Sequence, residues 1–277
     1  MPDMPDSDHL LTQASRDLSH RDAEILLASA WNLSRSQLLA RAGEPVPAEV
    51  TARFAELCQR RAAGHPVAYL LGQREFWSMT FEVTPAVLVP RPETELLVER
   101  VLQRIQTPDA RVVDLGTGSG AIAIAMAHER PGWHVVGTDV SEEALAVARR
   151  NGDRLAAGRI QWRHGAWYQP LAGQRFHALV SNPPYVAADD PALQDDGVRF
   201  EPHLALTPGG DGLGALHTLI NGAPGHLEPG GWIALEHGAS QGAAARAALV
   251  ARGFAHVTSH RDLAGHERVT EALWPTP

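Results

Sequence analysis

The chain contains no lysine: its 24 basic residues are all arginine. Cys58 is the only cysteine among 277 residues, which excludes an internal disulfide and any zinc site built on several thiolates. No apolar run approaches the roughly 20 residues of a membrane helix, so no membrane span is expected. Residues 1–9 hold Pro and Asp but neither a basic n-region nor an apolar h-region, so they do not read as a secretory signal. They are expected to form a disordered start of a cytoplasmic protein. There are 14 histidines, yet none falls in an HExxH or comparable cluster, and no metal site is expected. Against 24 arginines stand 32 acids, giving a formal net charge of -8 and a pI near 5.9. That balance argues against a dedicated nucleic-acid binder, whose affinity rests on neutralised phosphates. What is present, 44% hydrophobic and 20% charged residues, suits a soluble globular protein of one large domain or two.

Residues 10–63 repeat with helical period. Ala23, Leu26, Leu27, Ala30 and Trp31 share one face, and Val50, Phe54, Leu57 and Cys58 share another. Pro47 suits a first helical turn, and Gly64 with Pro66 reads as a stop. A small domain of about five short helices is expected over residues 1–68, either packing against the rest or docking a partner protein. Residues 69–89 change period, and Phe76, Trp77, Met79, Phe81 and Val83 predict a hairpin linker. A helix then opens at Pro90 and Pro92 and runs to about Ile105.

From residue 90 to the end, strands and helices alternate. Residues 111–115 predict a strand, Gly116, Thr117, Gly118, Ser119 and Gly120 a loop, and residues 121–129 an apolar helix. Strand, glycine loop and helix form a nucleotide-binding opening, because glycines admit the ligand and free N–H groups face it. The same glycines, with Ala121, also satisfy a dinucleotide fingerprint, and Asp139 at the end of the second strand can bind ribose hydroxyls of either cofactor. Further strands at 160–164 and 176–180 predict an α/β fold, a doubly wound, mainly parallel sheet. Residues 186–214 form a long, acidic, glycine-rich loop, either a lid or substrate clamp or a mobile insert. Helices at 215–227 and 243–252 and strands at 232–236, 255–260 and 269–274 complete the domain, the last two as an antiparallel edge pair.

The fourth strand of this series runs into Ser181, Asn182, Pro183, Pro184 and Tyr185. Asn182 brings a side-chain acceptor, Pro183 a carbonyl held by a fixed φ, and Tyr185 a flat aromatic wall. Two acceptors and a wall match a planar NH₂ group; the plainer alternative is a proline turn closing a strand. Ligands of open α/β sheets bind at this edge.

Asn-Pro-Pro-Tyr together with the loop from Asp114 to Gly120 resembles the S-adenosylmethionine-dependent methyltransferases that act on planar nitrogens. Within that group, several further segments resemble the protein-glutamine N5-methyltransferases of peptide chain release factors, the HemK family. They are residues 89–95, Trp167, residues 200–206, residues 209–213, Glu236-His237-Gly238 and residues 262–268. The resemblance covers nearly the whole chain and implies a seven-stranded class I methyltransferase sheet, Rossmann-like, in residues 90–277, behind a helical substrate-docking domain. It implies that Gly116 to Gly120 hold the methionine and ribose end of the cofactor, Asp139 the ribose hydroxyls and Trp167 the adenine region. Asn182 would touch both cofactor and substrate, and Asn182, Pro183, Pro184 and Tyr185 the glutamine, with Asn182, Pro183 and Tyr185 catalytic. Arg91 and Thr94 would border the cofactor without counting as site residues. Ala166 departs from the family, which commonly has an acid before the aromatic. The expected partner is a release factor presenting the glutamine of a Gly-Gly-Gln loop to a monomeric enzyme, with no direct nucleic acid. Rival readings are a ribosomal-protein glutamine methyltransferase, a DNA or RNA amino-methyltransferase and an NAD-linked oxidoreductase, the last leaving Asn182 to Tyr185 unexplained.

Overall fold

A computed structural model describes residues 5–156 and 158–276. The chain divides into two compact units, the first comprising residues up to Gly72 with Gln194–Phe200, the second Gln73–Leu193 with residues from Glu201 onward.

In the first unit, helices α1 (Ser7–Ala14), α2 (His20–Ala30), α3 (Arg35–Ala40), α4 (Ala48–Ala62) and α5 (Val67–Leu71) follow one another. Each is too short to persist alone in water, so packing must hold them. Ala23, Leu26 and Leu27 of α2 are fully buried among Leu10, Leu38, Phe54 and Leu57. Capping starts three of the helices: Asp6, Ser19 and Ser34 accept from backbone N–H groups of α1, α2 and α3, Ser34 in a reciprocal box with Gln37. The expected disordered start is therefore corrected, because Asp6 accepts from His9 N at 2.7 Å and α1 begins at Ser7. Residues 1–4 of that stretch lie outside the described residues. Gln194–Phe200 join this unit through Gly197 N–H donating to Gly64 O at 2.9 Å, Arg199 Nη2 to Ala63 O at 2.8 Å, and stacked rings of His65 and Phe200 at 4.1 Å.

The second unit begins with the hairpin β1 (Gln73–Phe76) and β2 (Met79–Glu82). The expected hairpin start at residue 69 is corrected: residues 69–71 are the end of α5, which stops at Gly72 in the left-handed conformation. Its two-residue turn, Trp77 and Ser78, has both residues at positive φ without a glycine. Such a turn matches strand twist but is disfavoured for side-chain-bearing residues. Glu95 stabilises it by accepting from Trp77 N at 2.8 Å, and Glu129 accepts from the indole Nε1 at the same distance.

The sheet then forms from β3 (Arg111–Leu115), β4 (His134–Asp139), β5 (Ile160–His164), β6 (Phe176–Ser181), β7 (Leu227–Glu236), β8 (Ala255–Arg261) and β9 (Glu267–Leu273), in the order β5-β4-β3-β6-β7-β9-β8. All pairings are parallel except those of β9, which runs antiparallel between β7 and β8. The last two strands do form an antiparallel pair, with β8 at the edge. Helices α6 (Glu95–Arg104), α7 (Ala121–Glu129) and α8 (Glu142–Leu155) cover one face of the sheet. Helices α10 (Gly214–Gly222) and α11 (Gly242–Ala251) cover the other, and α9 (His203–Leu206) is a single turn in the loop before α10. Buried on both faces, β3 and β6 read as apolar runs rather than alternations. Strand order reverses between β3 and β6, so the carboxyl ends of these two strands flank the crevice where such sheets bind ligands. Ser181 Oγ donates to Leu115 O at 2.6 Å and ties the two ends together. No helix among the described residues is long and apolar enough to cross a membrane.

Candidate active site

The crevice at the ends of β3 and β6 is a cavity of about 850 Å³, within the range of small-molecule sites. Gly116, Thr117, Gly118, Ser119, Asp139 and Trp167 line it, as do Asn182 and Pro184. Residues that are 66 positions apart, Gly116 and Asn182, thus share one wall. Gly120, Pro183 and Tyr185 do not line it.

The glycine loop has the shape its sequence requires. Gly116, Gly118 and Gly120 all have positive φ, 75°, 56° and 83°, which glycine adopts without steric cost. Their surroundings differ. A Cβ on Gly118 would meet nothing within 4 Å, so the absence of a side chain keeps the cavity open. A Cβ on Gly120 would sit 2.9 Å from the Trp162 ring and 3.1 Å from Ile124, so this glycine serves the packing of α7 on the sheet. Gly116 lies against the Trp167 ring, 3.3 Å from where its own Cβ would be.

Asp139 holds the loop. Its Oδ2 accepts from Gly118 N at 2.8 Å and its Oδ1 from Ser141 N at 2.9 Å, joining the glycine loop to the start of α8. Burial raises its pKa, while the Ser141 and Gly118 amides oppose that shift. Beneath it Asp114 is fully buried and accepts from Thr117 Oγ1 at 2.6 Å; burial pushes its carboxyl up to about 7. Ala166 lines the cavity beside Trp167, and the two carboxylates on the wall are Asp139 and Glu143.

At the other end, Asn182 Nδ2 donates to Thr94 Oγ1 at 3.2 Å. Pro183 is buried. The Tyr185 carbonyl accepts from Gln241 Nε2 at 3.0 Å, and burial pushes its phenol up to about 12. A side chain on Gly212 would collide with this carbonyl, at 2.4 Å from its would-be Cβ, so Gly212 packs directly on the backbone of Tyr185 and Ala187. The acidic loop is therefore not wholly irregular. Glu201 in it is buried, and its carboxylate accepts from Arg91 Nη2 at 2.7 Å and from Val89 N at 3.4 Å.

Arg91 and Thr94, set aside in the sequence as bordering residues, both line the cavity, and so do Pro202 and Leu204 from the acidic loop. The signal for the first two was present in the Pro90 to Glu95 motif. Nothing local distinguishes Glu201 from its acidic neighbours; only its partner does.

Comparison with known proteins agrees with this geometry. Residues 7–72 match the family described as the PrmC N-terminal domain, and residues 92–197 the methyltransferase small domain. A release factor glutamine methyltransferase of Xylella fastidiosa is 47% identical over 273 residues, covering 98% of this chain and 99% of that protein. Its counterpart in Pseudomonas aeruginosa is 49% identical over 253 residues, 91% of this chain and 92% of that protein. Among solved structures, a methyltransferase of Pyrococcus furiosus aligns with a TM-score of 0.52 at 21% identity, over 82% of this chain and 100% of that one. A T. thermophilus 16S rRNA N2 methyltransferase in complex with AdoMet and guanosine aligns with a TM-score of 0.53 at 21% identity, over 73% of this chain and 49% of that one. At such identity these two structures speak for the fold, a class I methyltransferase sheet, while the near full-length relatives decide the family: this chain belongs to the release factor glutamine methyltransferases.

Proposed function

We propose that this chain transfers a methyl group from S-adenosylmethionine to the side-chain amide nitrogen of the glutamine in the Gly-Gly-Gln loop of a peptide chain release factor. The observation that carries the reading is the placement of Asn182 on the same cavity wall as the glycine loop, Asp139 and Trp167. The residues fit the cofactor, since Gly118 leaves its side of the cavity open and Asp139 keeps further lone pairs beyond its two backbone bonds. Gly116 to Ser119 and Asp139 would hold its methionine and ribose parts, and Trp167 its adenine. Gly120 would shape that loop from behind. When bound, S-adenosylmethionine supplies an electrophilic methyl group on a sulfonium.

An amide nitrogen is a poor nucleophile, because its lone pair is delocalised into the carbonyl. Asn182 Oδ1 and the Pro183 carbonyl would accept the two N–H groups of the glutamine, fixing its orientation and favouring positive charge as it develops on nitrogen. Pro184 would border the glutamine, and Tyr185 would pack on the amide plane once the loop of residues 209–214 admits the substrate. No strong base is needed, because the methylated nitrogen is acidic while it carries positive charge. Residues 1–68 would dock the release factor, residues 69–89 would link, and residues 90–277 would carry the chemistry. With a net charge of -8, the enzyme would act on protein rather than nucleic acid, as a cytoplasmic monomer.

The test is to incubate purified release factors with labelled S-adenosylmethionine and map the modified residue by mass spectrometry. One methyl group on the Gly-Gly-Gln glutamine is expected. No incorporation, or incorporation elsewhere, overturns the reading.

A further inference from the structure

Strand β7 ends at Glu236, and the chain then turns through His237 and Gly238 to Gln241, the residue before α11. A residue in that place commonly caps its helix with its side chain, yet Gln241 gives no such bond to α11. Its amide is engaged elsewhere: Oε1 accepts from Gly238 N at 2.9 Å, and Nε2 donates to the Tyr185 carbonyl at 3.0 Å, 56 positions away. These partners fix which way the amide points, because a backbone N–H can only donate and a carbonyl can only accept. Gln241 N closes the turn a second time by donating to Gly238 O at 2.9 Å. Fully buried His237 holds the same carbonyl with Nδ1 at 2.9 Å and meets Thr270 Oγ1 of β9 with Nε2 at 2.8 Å. Gly238 also lies beside the Tyr185 ring, since a Cβ there would stand 3.7 Å from Cδ2 of the tyrosine. A Cβ on Gly212 would stand 2.4 Å from the Tyr185 carbonyl oxygen and 3.1 Å from Gln241 Nε2, so the lack of a side chain makes room for their bond. The turn thus touches Tyr185 at two points, the carbonyl by a hydrogen bond and the ring by van der Waals contact.

We propose that Gln241 is a positioning residue that sets the Tyr185 ring against the substrate amide. The inference rests on the methyl-transfer reading, in which Tyr185 packs on the plane of the glutamine amide. Neither Gln241 nor Gly238 lines the cofactor cavity, so the turn acts on the reaction through Tyr185. On the near side of Tyr185 the backbone is restrained by the fixed φ of Pro183 and Pro184. On the far side the peptide joining Tyr185 to Val186 is held at its N–H by Leu206 O, at 2.9 Å, and at its carbonyl by Gln241. Without Gln241 that peptide keeps one anchor and can rotate about it, carrying the ring away from the amide that Asn182 and the Pro183 carbonyl orient. A misplacement of about 1 Å at a reacting group can cost on the order of 10²-fold in rate.

Two variants test this. Gln241→Met keeps the length and removes both side-chain bonds; Gln241→Glu keeps the acceptor for Gly238 N and sets an oxygen against the Tyr185 carbonyl. The first readout needs no substrate. The chain has three tyrosines, Tyr69, Tyr168 and Tyr185, so protein labelled in its tyrosine rings gives three sets of NMR signals, and the Tyr185 set is identified by its loss in Tyr185→Leu. In both Gln241 variants the Tyr185 signals should shift while the other two sets stay in place. The second readout is steady-state kinetics on a release factor. There kcat should fall by about tenfold or more in both variants, while the Kd for S-adenosylhomocysteine stays within about twofold. In a Tyr185→Leu background, where no ring remains to orient, Gln241→Met should change kcat by less than about twofold. Tyr185 signals that stay, or that shift only together with the other two sets, overturn the proposal. So does full kcat in the variants, or a loss of the same size once the ring is gone. Should Gln241→Met fail to fold, Gln241→Glu carries the same readouts. A wild-type enzyme that methylates no release factor would sink the proposed function, and the tyrosine signals would still decide whether the turn holds Tyr185.

Discussion

Replacing Asp139 by alanine should damage the protein before any cofactor is added. Its two oxygens accept from Gly118 N at 2.8 Å and Ser141 N at 2.9 Å, and each bond involves a charged acceptor. Bonds of that kind contribute about 1.5–3 kcal/mol each. Two at the lower bound give about 3 kcal/mol, but burial raises the Asp139 pKa, so part of the gain is offset by the cost of desolvating the carboxylate. A net loss of about 1–2 kcal/mol is expected in the apo protein, or roughly 2–4 °C in Tm for a chain of this size. Asp139→Asn keeps one acceptor oxygen but turns an NH₂ toward one backbone N–H, so it should fall between wild type and alanine. Cofactor binding should suffer in addition, because the carboxylate would also serve the ribose hydroxyls: the Kd for S-adenosylhomocysteine should rise by roughly tenfold or more. Calorimetry supplies both numbers, a melting scan of the apo protein and a titration of the ligand. An unchanged Tm with a weakened Kd would show that the backbone bonds contribute nothing to the loop. An unchanged Kd would remove Asp139 from the binding site.

Asn182→Ala removes an acceptor placed where charge develops and should lower kcat on release factor by on the order of 10²–10³, with Asn182→Asp retaining more activity than alanine. Full kcat at saturating substrates, with only binding weakened, would make Asn182 a binding residue and refute the mechanism. Gly118→Ala and Gly120→Ala should diverge: the first, with open space at its Cβ, should cost about 1–2 kcal/mol in stability from its positive φ while sharply weakening cofactor binding. The second should unfold the protein far more, since its Cβ would lie 2.9 Å from the Trp162 ring; equal melting temperatures for the two variants would contradict this. Burial pushes Glu236 from 4.5 up to about 7, so the folded state binds this proton more tightly than the unfolded one. Its contribution is complete below about pH 4.5 and is lost as pH rises through about 7, so Glu236→Gln should gain on wild type by up to about 3 kcal/mol between pH 5 and pH 8. Urea titrations at the two pH values check it, and a pH-independent difference would show that the carboxyl is not desolvated. Deleting residues 1–68 should leave S-adenosylhomocysteine binding intact in a folded product while raising the KM for release factor; an unchanged KM would refute docking by the helical unit.

The parts of the site that were legible are those whose demands are local. Gly116, Gly118 and Gly120 all need a positive φ, and such a demand is written in residue type. Asn182 to Tyr185 follow an apolar run that could only be a buried strand, so their place at its carboxyl end was readable too. The Trp77 and Ser78 turn was not, because no glycine or asparagine marks it; it is held by Glu95 and Glu129, 18 and 52 residues further on. The disordered start was misread because the cap that begins α1, Asp6, is indistinguishable in composition from the acidic, proline-rich residues before it.

The sequence by itself determined the order of strands and helices, the glycine loop, the Asn-Pro-Pro-Tyr motif and, through the number and order of its motifs, the family. Those follow from backbone preference and hydrophobic period, which act over a few residues. Only the tertiary structure decided that β9 enters between β7 and β8, that Asp139 grips Gly118 and Ser141, and that Gly120 faces Trp162 rather than the cavity. It alone brought Thr94 to Asn182, 88 positions away, and Glu201 to Arg91, 110 away. Hydrogen bonds between segments that far apart depend on the sheet closing first, and no local preference encodes which side chain will then be within hydrogen-bond reach of which.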